Sequence, residues 1–169
     1  MDMTKNAQLA QEVGELLMQQ GKMMACSESC TGGGVAFCAT ENAGSSAWFE
    51  RGFVTYSNQA KQDSLGVDFD ILQSFGAVSE EVVKEMAVGT LANSNADISV
   101  SISGIAGPGG ATEDKPVGTV CFGFADKSDW HQETTVYFTG GRSEIRQSAI
   151  EYAFLTIKNR LESVVNSNG

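Results

Sequence analysis

Histidine is almost absent from this 169-residue sequence: the single residue is His131, between Trp130 and Gln132. A serine–histidine–acid triad needs an imidazole that is held beside the nucleophile by a third group. The segment around His131 predicts a strand and does not resemble a catalytic loop, so we interpret His131 as a partly exposed strand residue. Nucleophilic catalysis in this chain would therefore need a base of another kind.

Cysteine is also scarce and is poorly spaced for metal binding. The sequence contains no C-x-x-C pair, and one histidine cannot complete a zinc pattern. We interpret all four residues as reduced thiols and expect neither a metal nor an organic cofactor. The four are Cys26, Cys30, Cys38 and Cys121.

Long apolar runs are missing, and the polar N-terminal segment does not resemble a signal peptide. We therefore expect a cytoplasmic protein with no membrane partner. Basic residues are few: 11 Lys and Arg stand against 21 Asp and Glu, which gives a formal net charge of -10. A surface of this sign repels polyphosphate chains, so we expect no nucleic-acid partner, whereas a few fixed cations can still bind a small anionic ligand.

Glycine, in contrast, is abundant. It accounts for 19 of the 169 residues, a share above the ordinary frequency of about 7%. The excess lies largely in TGGG, GIAGPGG and FTGG. None of these segments matches the dinucleotide-binding fingerprint or the Walker A motif. Tight turns alone would explain any one of them, but two at predicted strand ends favour a ligand site at the carboxyl edge of a sheet.

Hydrophobic periodicity indicates alternating helices and strands in one domain, residues 1–169, with a core from about 5 to 163. The helices are spread along the chain and two strands are adjacent near its end. This order predicts an α/β fold: a three-layer α/β/α sandwich with a mixed, mostly parallel sheet. The predicted helices cover 7–20, 31–40 and 58–65, one capped by Ser79 and one from Glu144; the strands cover 23–26, 49–56, 96–103, 119–125 and 130–138.

The stretch MACSESCTGGGVAF, residues 24–37, connects a predicted buried strand to a predicted helix. Ser29 and Cys30 are its candidate nucleophiles, because backbone N–H groups at a helix start can stabilise an oxyanion. The alternative is that Ser27, Ser29 and Thr31 only cap the helix or close a turn. Local pattern alone leaves both interpretations open.

A lysine with a lowered pKa is the remaining candidate base. Lys61 follows the strand-like FVTYSN and lies in the first turns of a predicted helix near the glycine loops. The alternative interpretation of Lys61 is a solvated charge on the protein surface. Arg142, after FTGG, is a candidate for binding an anionic group, and its alternative is likewise a surface residue.

Several long segments together resemble one known family from about residue 5 to residue 160. They are SESCTGGG, AGSSAWFERGFVTYSNQAK, GAVSEEVVKEMAVG, SVSISGIAGPGG, KPVGTV and FTGGR. Their wording is similar to that of the CinA C-terminal domain family, and within it to the stand-alone nicotinamide-nucleotide amidases. The resemblance implies metal-free hydrolysis of the carboxamide of nicotinamide mononucleotide in pyridine nucleotide salvage, and a homo-oligomer, expected to be a dimer.

The resemblance also implies a role for individual residues. Ser29 becomes the nucleophile and Lys61 its base, and we add Tyr56 of the same TYSN motif as a hydrogen-bonding partner of the pair. The other candidates for the oxyanion site or for substrate binding are Cys30, Thr31, Gly32, Gly33, Gly104, Ile105, Ala106, Gly107, Pro108 and Arg142. Tyr56 has a structural alternative, as an aromatic side chain that fills one face of the sheet.

The sequence departs from the usual family wording at two places. Ser27 stands where the family motif has alanine, and FTGGR replaces FPGDR, which removes a carboxylate beside Arg142. Two other functions stay open: a noncatalytic nucleotide-binding or regulatory module that holds a phosphate, and an interaction protein that uses Trp48 and Phe49 or the last helix as its surface.

Overall fold

The computed structural model of the protein describes residues 2–168, and side chains up to residue 165. Within this range five strands form one sheet: β1 Met24–Glu28, β2 Phe49–Val54, β3 Ile98–Gly104, β4 Thr119–Asp126 and β5 His131–Tyr137. Its α-helices are α1 Thr4–Gln20, α2 Gly34–Thr40, α3 Asn58–Leu65, α4 Phe69–Phe75, α5 Glu80–Ala92 and α6 Arg142–Asn168. None of these helices is both long and apolar enough to cross a membrane.

The sheet is mixed and is covered by helices on both faces. Its strand order is β2-β1-β3-β4-β5. The pairs β1–β2 and β1–β3 are parallel, whereas β3–β4 and β4–β5 are antiparallel. Four of the five strands thus point the same way and only β4 is reversed. Helices α1, α2 and α6 cover one face, and α3, α4 and α5 the other, which confirms the predicted three-layer α/β/α sandwich.

Strand β3 shows how the two faces differ. Ile98, Val100 and Ile102 point into the apolar core beneath α1, α2 and α6. On the other face, Ser99 and Ser101 are fully buried and donate hydrogen bonds to backbone carbonyls of α5. Small side chains on this face let α5 lie close to the sheet, so that buried serines replace the apolar residues that a covered strand usually carries.

The chain direction brings several connecting segments to one edge of the sheet. Strands β1, β2, β3 and β5 end at this edge, and the reversed strand β4 begins there. Four segments therefore meet: 29–33, 55–57, 105–118 and 138–141. This is the carboxyl edge at which open α/β sheets bind their ligands.

The helix after β1 begins later than predicted. The expected range was 31–40 with Thr31 as N-cap, but α2 begins at Gly34 and its N-cap is Gly33, which has a φ of 97°. Gly32 also has a positive φ, of 59°. Two left-handed residues in succession cannot continue a helical turn, and glycine is the residue that adopts them without steric cost.

Two short elements were not predicted: helix α4 and the 3₁₀ turn Ser45–Ala47. The 3₁₀ turn has three residues and α4 has seven. Neither is long enough to show apolar periodicity, and in α4 only Leu72 is buried. Helix α3 matches its predicted range, and Ser79 caps α5 as predicted by accepting a hydrogen bond from the Val82 N–H. Helix α6 begins two residues earlier than expected, at Arg142 itself.

Candidate active site

Ser29 and Lys61 come together at the carboxyl edge of the sheet. Ser29 is the first residue after β1 and is 8% exposed, and Lys61 lies in the first turn of α3 and is 1% exposed. Lys61 Nζ lies 3.3 Å from Ser29 Oγ and donates a hydrogen bond of 2.9 Å to the carbonyl of Thr55. The interpretation of Lys61 as a solvated surface charge is therefore wrong for this fold.

The surroundings of Lys61 favour its uncharged form. Burial lowers the pKa of the Lys61 ammonium below its usual value, an effect that the nearby Cys30 sulfur partly opposes. Removing an ammonium from water disfavours its charged state. A lysine of this kind can exist as a neutral amine and accept a proton from an adjacent hydroxyl.

Cys30, the other candidate nucleophile, has the opposite tendency. It is buried, and this burial together with the negative charge of Glu28 raises the pKa of its thiol to about 11, although Arg146 and Arg142 pull in the other direction. The thiolate is the nucleophilic form of cysteine, and little of it is present at neutral pH when the pKa is raised. The raised pKa of Cys30 and the contact between Lys61 and Ser29 Oγ both favour Ser29 as the nucleophile.

The loop that carries Ser29 is held from within by Glu28, which sequence reasoning missed. The Glu28 carboxylate is 1% exposed and accepts hydrogen bonds from Thr31 Oγ1 at 2.7 Å, the Val35 N–H at 2.8 Å and the Ala36 N–H at 3.2 Å. It therefore caps the first turn of α2, which its N-cap Gly33 cannot do with a side chain. Thr31 serves this network and not the helix directly.

The same loop is held from outside by Arg146, a second residue that sequence reasoning missed. Its guanidinium Nε donates to the Cys30 carbonyl at 2.9 Å, and its Nη2 donates to the Thr31 carbonyl at 3.3 Å. The available signal was spacing, because Arg146 follows Arg142 by four residues and so lies on the same side of α6. The sequence signal that could have identified Glu28 was its position next to the candidate nucleophile Ser29.

Arg142 and Tyr56 contact each other across the mouth of the site. Arg142 donates to the carbonyl of Gly107 at 2.6 Å and to the hydroxyl of Tyr56 at 3.3 Å. These two contacts set the orientation of Arg142, which the change from FPGDR to FTGGR had left open. Tyr56 is 63% exposed, so it does not fill a face of the sheet.

Ser29 lines an open pocket of about 240 Å³. Five of the predicted residues do not line it: Thr31, Gly32, Gly33, Lys61 and Pro108. The pocket is lined by Ser29, Cys30, Tyr56, Gly104, Ile105, Ala106, Gly107, Gly109, Gly110 and Arg142. The glycine-rich loop after β3 thus forms one wall, as expected, and contributes two more glycines.

Backbone N–H groups of the Ser29 loop differ in their availability. The Gly32 N–H donates to the Ser29 carbonyl, and the Gly34 N–H donates to the Thr31 carbonyl, each at 3.0 Å. These two bonds fold the loop into consecutive turns. The amides of Cys30 and Thr31 are therefore better candidates for an oxyanion site than that of Gly32.

Other candidates lie elsewhere. His131 begins β5, at the opposite edge of the sheet, where its Nδ1 lies 2.7 Å from Glu133 Oε2. All four cysteines are buried as free thiols, and no three His, Cys, Asp or Glu residues among those described are grouped to hold a metal ion. Trp48, considered above as part of an interaction surface, is 3% exposed and belongs to the core.

Fold and site together define an α/β domain whose candidate active site pairs a serine with a buried lysine. The chain belongs to the CinA C-terminal domain family, whose model matches residues 6–161. It is 52% identical over 150 residues to a protein of Escherichia coli K12 named nicotinamide-nucleotide amidohydrolase PncC, a match that covers 89% of this chain and 91% of that protein. A protein of the same name in Enterobacter agglomerans is 50% identical over 149 residues.

Solved structures of related sequence share this fold. The competence damage-inducible protein A of Klebsiella pneumoniae superposes with a TM-score of 0.89 at 34% identity, covering 93% of this chain and 97% of that one. A competence/damage inducible protein of Agrobacterium tumefaciens superposes with a TM-score of 0.83 at 40% identity, covering 97% and 96%.

Proposed function

We propose that this chain hydrolyses the carboxamide of nicotinamide mononucleotide, giving nicotinate mononucleotide and ammonia, with Ser29 as nucleophile and Lys61 as its base. The observation that carries the proposal is the separation of 3.3 Å between Lys61 Nζ and Ser29 Oγ. Relatives about half identical over most of the chain, and named for this activity, support the choice of substrate.

The first half of the proposed reaction forms an acyl-enzyme. Neutral Lys61 accepts the proton of Ser29 as Oγ attacks the carboxamide carbon, so that a C–O bond forms and negative charge develops on the former carbonyl oxygen. The tetrahedral intermediate then collapses. Its C–N bond breaks, and the leaving nitrogen takes the proton from Lys61 and departs as ammonia.

The second half restores the enzyme. Water attacks the ester carbon while Lys61 accepts one of its protons, and the bond to Ser29 Oγ breaks as Lys61 returns this proton to the serine. The carboxylic acid product ionises and leaves. No step needs a metal ion or an organic cofactor, because the chain itself supplies the nucleophile, the base and the oxyanion donors.

The remainder of the nucleotide is proposed to lie in the pocket between Tyr56 and the loop from Gly104 to Pro108. Arg142 is the cationic side chain that lines this pocket, and it contacts the loop through the Gly107 carbonyl. A guanidinium can hold two phosphate oxygens at once. On binding, Arg142 would therefore exchange its hydrogen bonds to the Gly107 carbonyl and the Tyr56 hydroxyl for bonds to the phosphate.

Ammonia release from nicotinamide mononucleotide tests the proposal directly. Ser29→Ala and Lys61→Met are expected to lower kcat by about 10³-fold or more, since each removes a group that acts in the reaction. Both variants should still bind the nucleotide in calorimetry. Lys84→Met, which changes an exposed lysine of α5, is the matched control and should keep the full rate.

Two outcomes would contradict the proposal. Folded wild-type protein that binds the nucleotide but releases no ammonia from neutral to alkaline pH would instead support the noncatalytic binding module. Turnover that survives Ser29→Ala would place the nucleophile elsewhere.

A further inference from the structure

Arg146 approaches the Ser29 loop from the face of the sheet opposite to the base. It lies in α6, which packs on one face together with α1 and α2, whereas Lys61 lies in α3 on the other face. Its guanidinium contacts two consecutive backbone carbonyls, those of Cys30 and Thr31. Few side chains can make this contact, because it needs two donors in a rigid planar fork.

The contact fixes the direction of a peptide unit. A peptide bond is planar and trans, so its C=O and N–H point in opposite directions. Because the Cys30 carbonyl points toward Arg146 and α6, the N–H of the same unit, which belongs to Thr31, points away from α6. It lies within the turn that the Gly32 N–H closes on the Ser29 carbonyl.

The next peptide unit is fixed in the same way. The Thr31 carbonyl also accepts from Arg146, and the Gly32 N–H of that unit donates back to the Ser29 carbonyl. Meanwhile the Thr31 hydroxyl is held by Glu28 from below. Thr31 is thus restrained at both its side chain and its carbonyl, so its own N–H has one orientation.

Glycine at position 32 is part of this arrangement. A Cβ built on Gly32 would lie 3.4 Å from Arg146 Nη2, and the residue has a φ of 59°. A larger residue would therefore be strained by its backbone conformation, while its Cβ would make an ordinary van der Waals contact with the guanidinium. Glycine is needed here for the left-handed turn that presents the loop carbonyls to Arg146.

We propose that Arg146 is a positioning residue that aims the Thr31 N–H at the oxygen on which charge develops during attack by Ser29. The inference rests on the proposed Ser29–Lys61 chemistry and adds to it a named oxyanion donor and the side chain that orients it. The guanidinium charge also polarises the two peptide units it contacts, which strengthens their N–H donors. Arg146 itself does not contact the substrate in this arrangement.

The test compares Arg146→Ala and Arg146→Lys with wild type. Loss of an oriented oxyanion donor should lower kcat by about 100-fold in Arg146→Ala, while KM for nicotinamide mononucleotide changes by less than about threefold, as expected when the lost interaction exists only in the transition state. Arg146→Lys should fall between the two, because an ammonium cannot bind both carbonyls bidentately. Added guanidinium should restore part of the rate of Arg146→Ala.

A second readout does not depend on the natural substrate. A fluorophosphonate probe reacts with an activated serine: the Ser29 Oγ–P bond forms, the P–F bond breaks, fluoride leaves, and Lys61 takes the serine proton. The phosphoryl oxygen then occupies the oxyanion position. Labelling of Ser29, followed by intact-mass spectrometry, should slow by about the same 100-fold in Arg146→Ala.

Arg160→Ala is the matched control. Arg160 lies near the far end of the same helix, where it bonds Asp126 and packs over the ring of Trp130. This variant should keep the wild-type rates of turnover and labelling. Thermal melts of all variants show whether any loss reflects unfolding, and Arg146→Lys keeps the test decisive if Arg146→Ala does not fold.

The outcomes separate this inference from the assigned substrate. Wild-type protein that is labelled in an Arg146-dependent way but releases no ammonia would reject nicotinamide mononucleotide and retain the role of Arg146. A folded Arg146→Ala with wild-type rates, or one that guanidinium does not rescue, would overturn the positioning role. Folded wild-type protein that shows neither labelling nor turnover would overturn both proposals.

Discussion

Two serines that lie opposite each other on β1 and β3 differ in what their hydroxyls contact. Ser27 and Ser101 are paired in the parallel register and both are fully buried. Ser101 donates to the Val83 carbonyl of α5, whereas the Ser27 hydroxyl has no hydrogen-bond partner among the described residues. A buried hydroxyl without a partner costs free energy that a bonded one does not.

This difference predicts opposite effects of the same substitution. Ser27→Ala should leave the free energy of unfolding unchanged or raise it by up to about 1 kcal/mol, since it removes an unpaired polar group. Ser101→Ala should lower it by about 1 kcal/mol. Urea unfolding of the two variants measures both values, and an equal loss in both would mean that Ser27 has a partner after all. Alanine at position 27 is also the usual wording of the family motif.

Lys61 makes a prediction about pH. Burial lowers its pKa from an ordinary value of 10.5, and the proposed base must be neutral. The value of kcat/KM should therefore rise as pH increases through this lowered pKa and then level off before 10.5. A profile that is flat or falls across this range would exclude Lys61 as the base.

The same shift affects stability, with a sign that can be checked. The unfolded chain holds the Lys61 proton up to a higher pH than the folded chain does, so the stability of the fold increases with pH between the two pKa values. Lys61→Met lacks this dependence. Its stability relative to wild type should therefore decrease as pH rises through the window, as measured by urea unfolding at several pH values.

Among the structural elements, the junction between β1 and α2 depends on one carboxylate. Glu28 accepts three hydrogen bonds from the loop and the first turn of α2, and no other side chain in the described part of the chain caps this helix start. An amide in its place would present N–H donors to groups that are themselves donors. The junction can therefore not keep all its hydrogen bonds after such a change.

Glu28→Gln is accordingly expected to lower the free energy of unfolding by about 2 kcal/mol, and to lower kcat because Ser29 is the next residue. Urea unfolding and ammonia release measure the two effects. Glu41→Gln, at the exposed C-terminal end of the same helix, is the control and should change stability by no more than about 0.5 kcal/mol. Equal effects of the two substitutions would contradict the role of Glu28 as the cap.

Elements marked by local side-chain spacing and capping could be predicted from the sequence, whereas the glycine-rich start of α2 could not. Helix α3 and the Ser79 cap of α5 match their predictions because side-chain spacing and capping are local properties. The start of α2 does not match, because it depends on the left-handed glycines and on a carboxylate from the preceding strand. That contact forms only after the loop has folded back.

At the scale of the whole molecule, the layers and the mixed sheet follow from the alternation of elements, whereas the site depends on contacts distant in sequence. Ser29 and Lys61 are 32 residues apart, and Cys30 and Arg146 are 116 apart. Local pattern left Ser29 open between nucleophile and cap, and Lys61 open between base and surface charge. Motif resemblance selected the first role for each, but it did not identify Arg146 or Glu28.

The reversed strand β4 has a consequence for how this architecture can diversify. The chain leaves β3 and returns to β4 at the same edge. Ile105 closes the base of the intervening loop, because its carbonyl accepts from the Gly118 N–H and its N–H donates to the Thr119 carbonyl. Residues 106–117 therefore form a loop closed at its base, on a different segment from the attacking serine. Changes at its exposed positions, 108–114, should alter one wall of the pocket while the serine keeps its place.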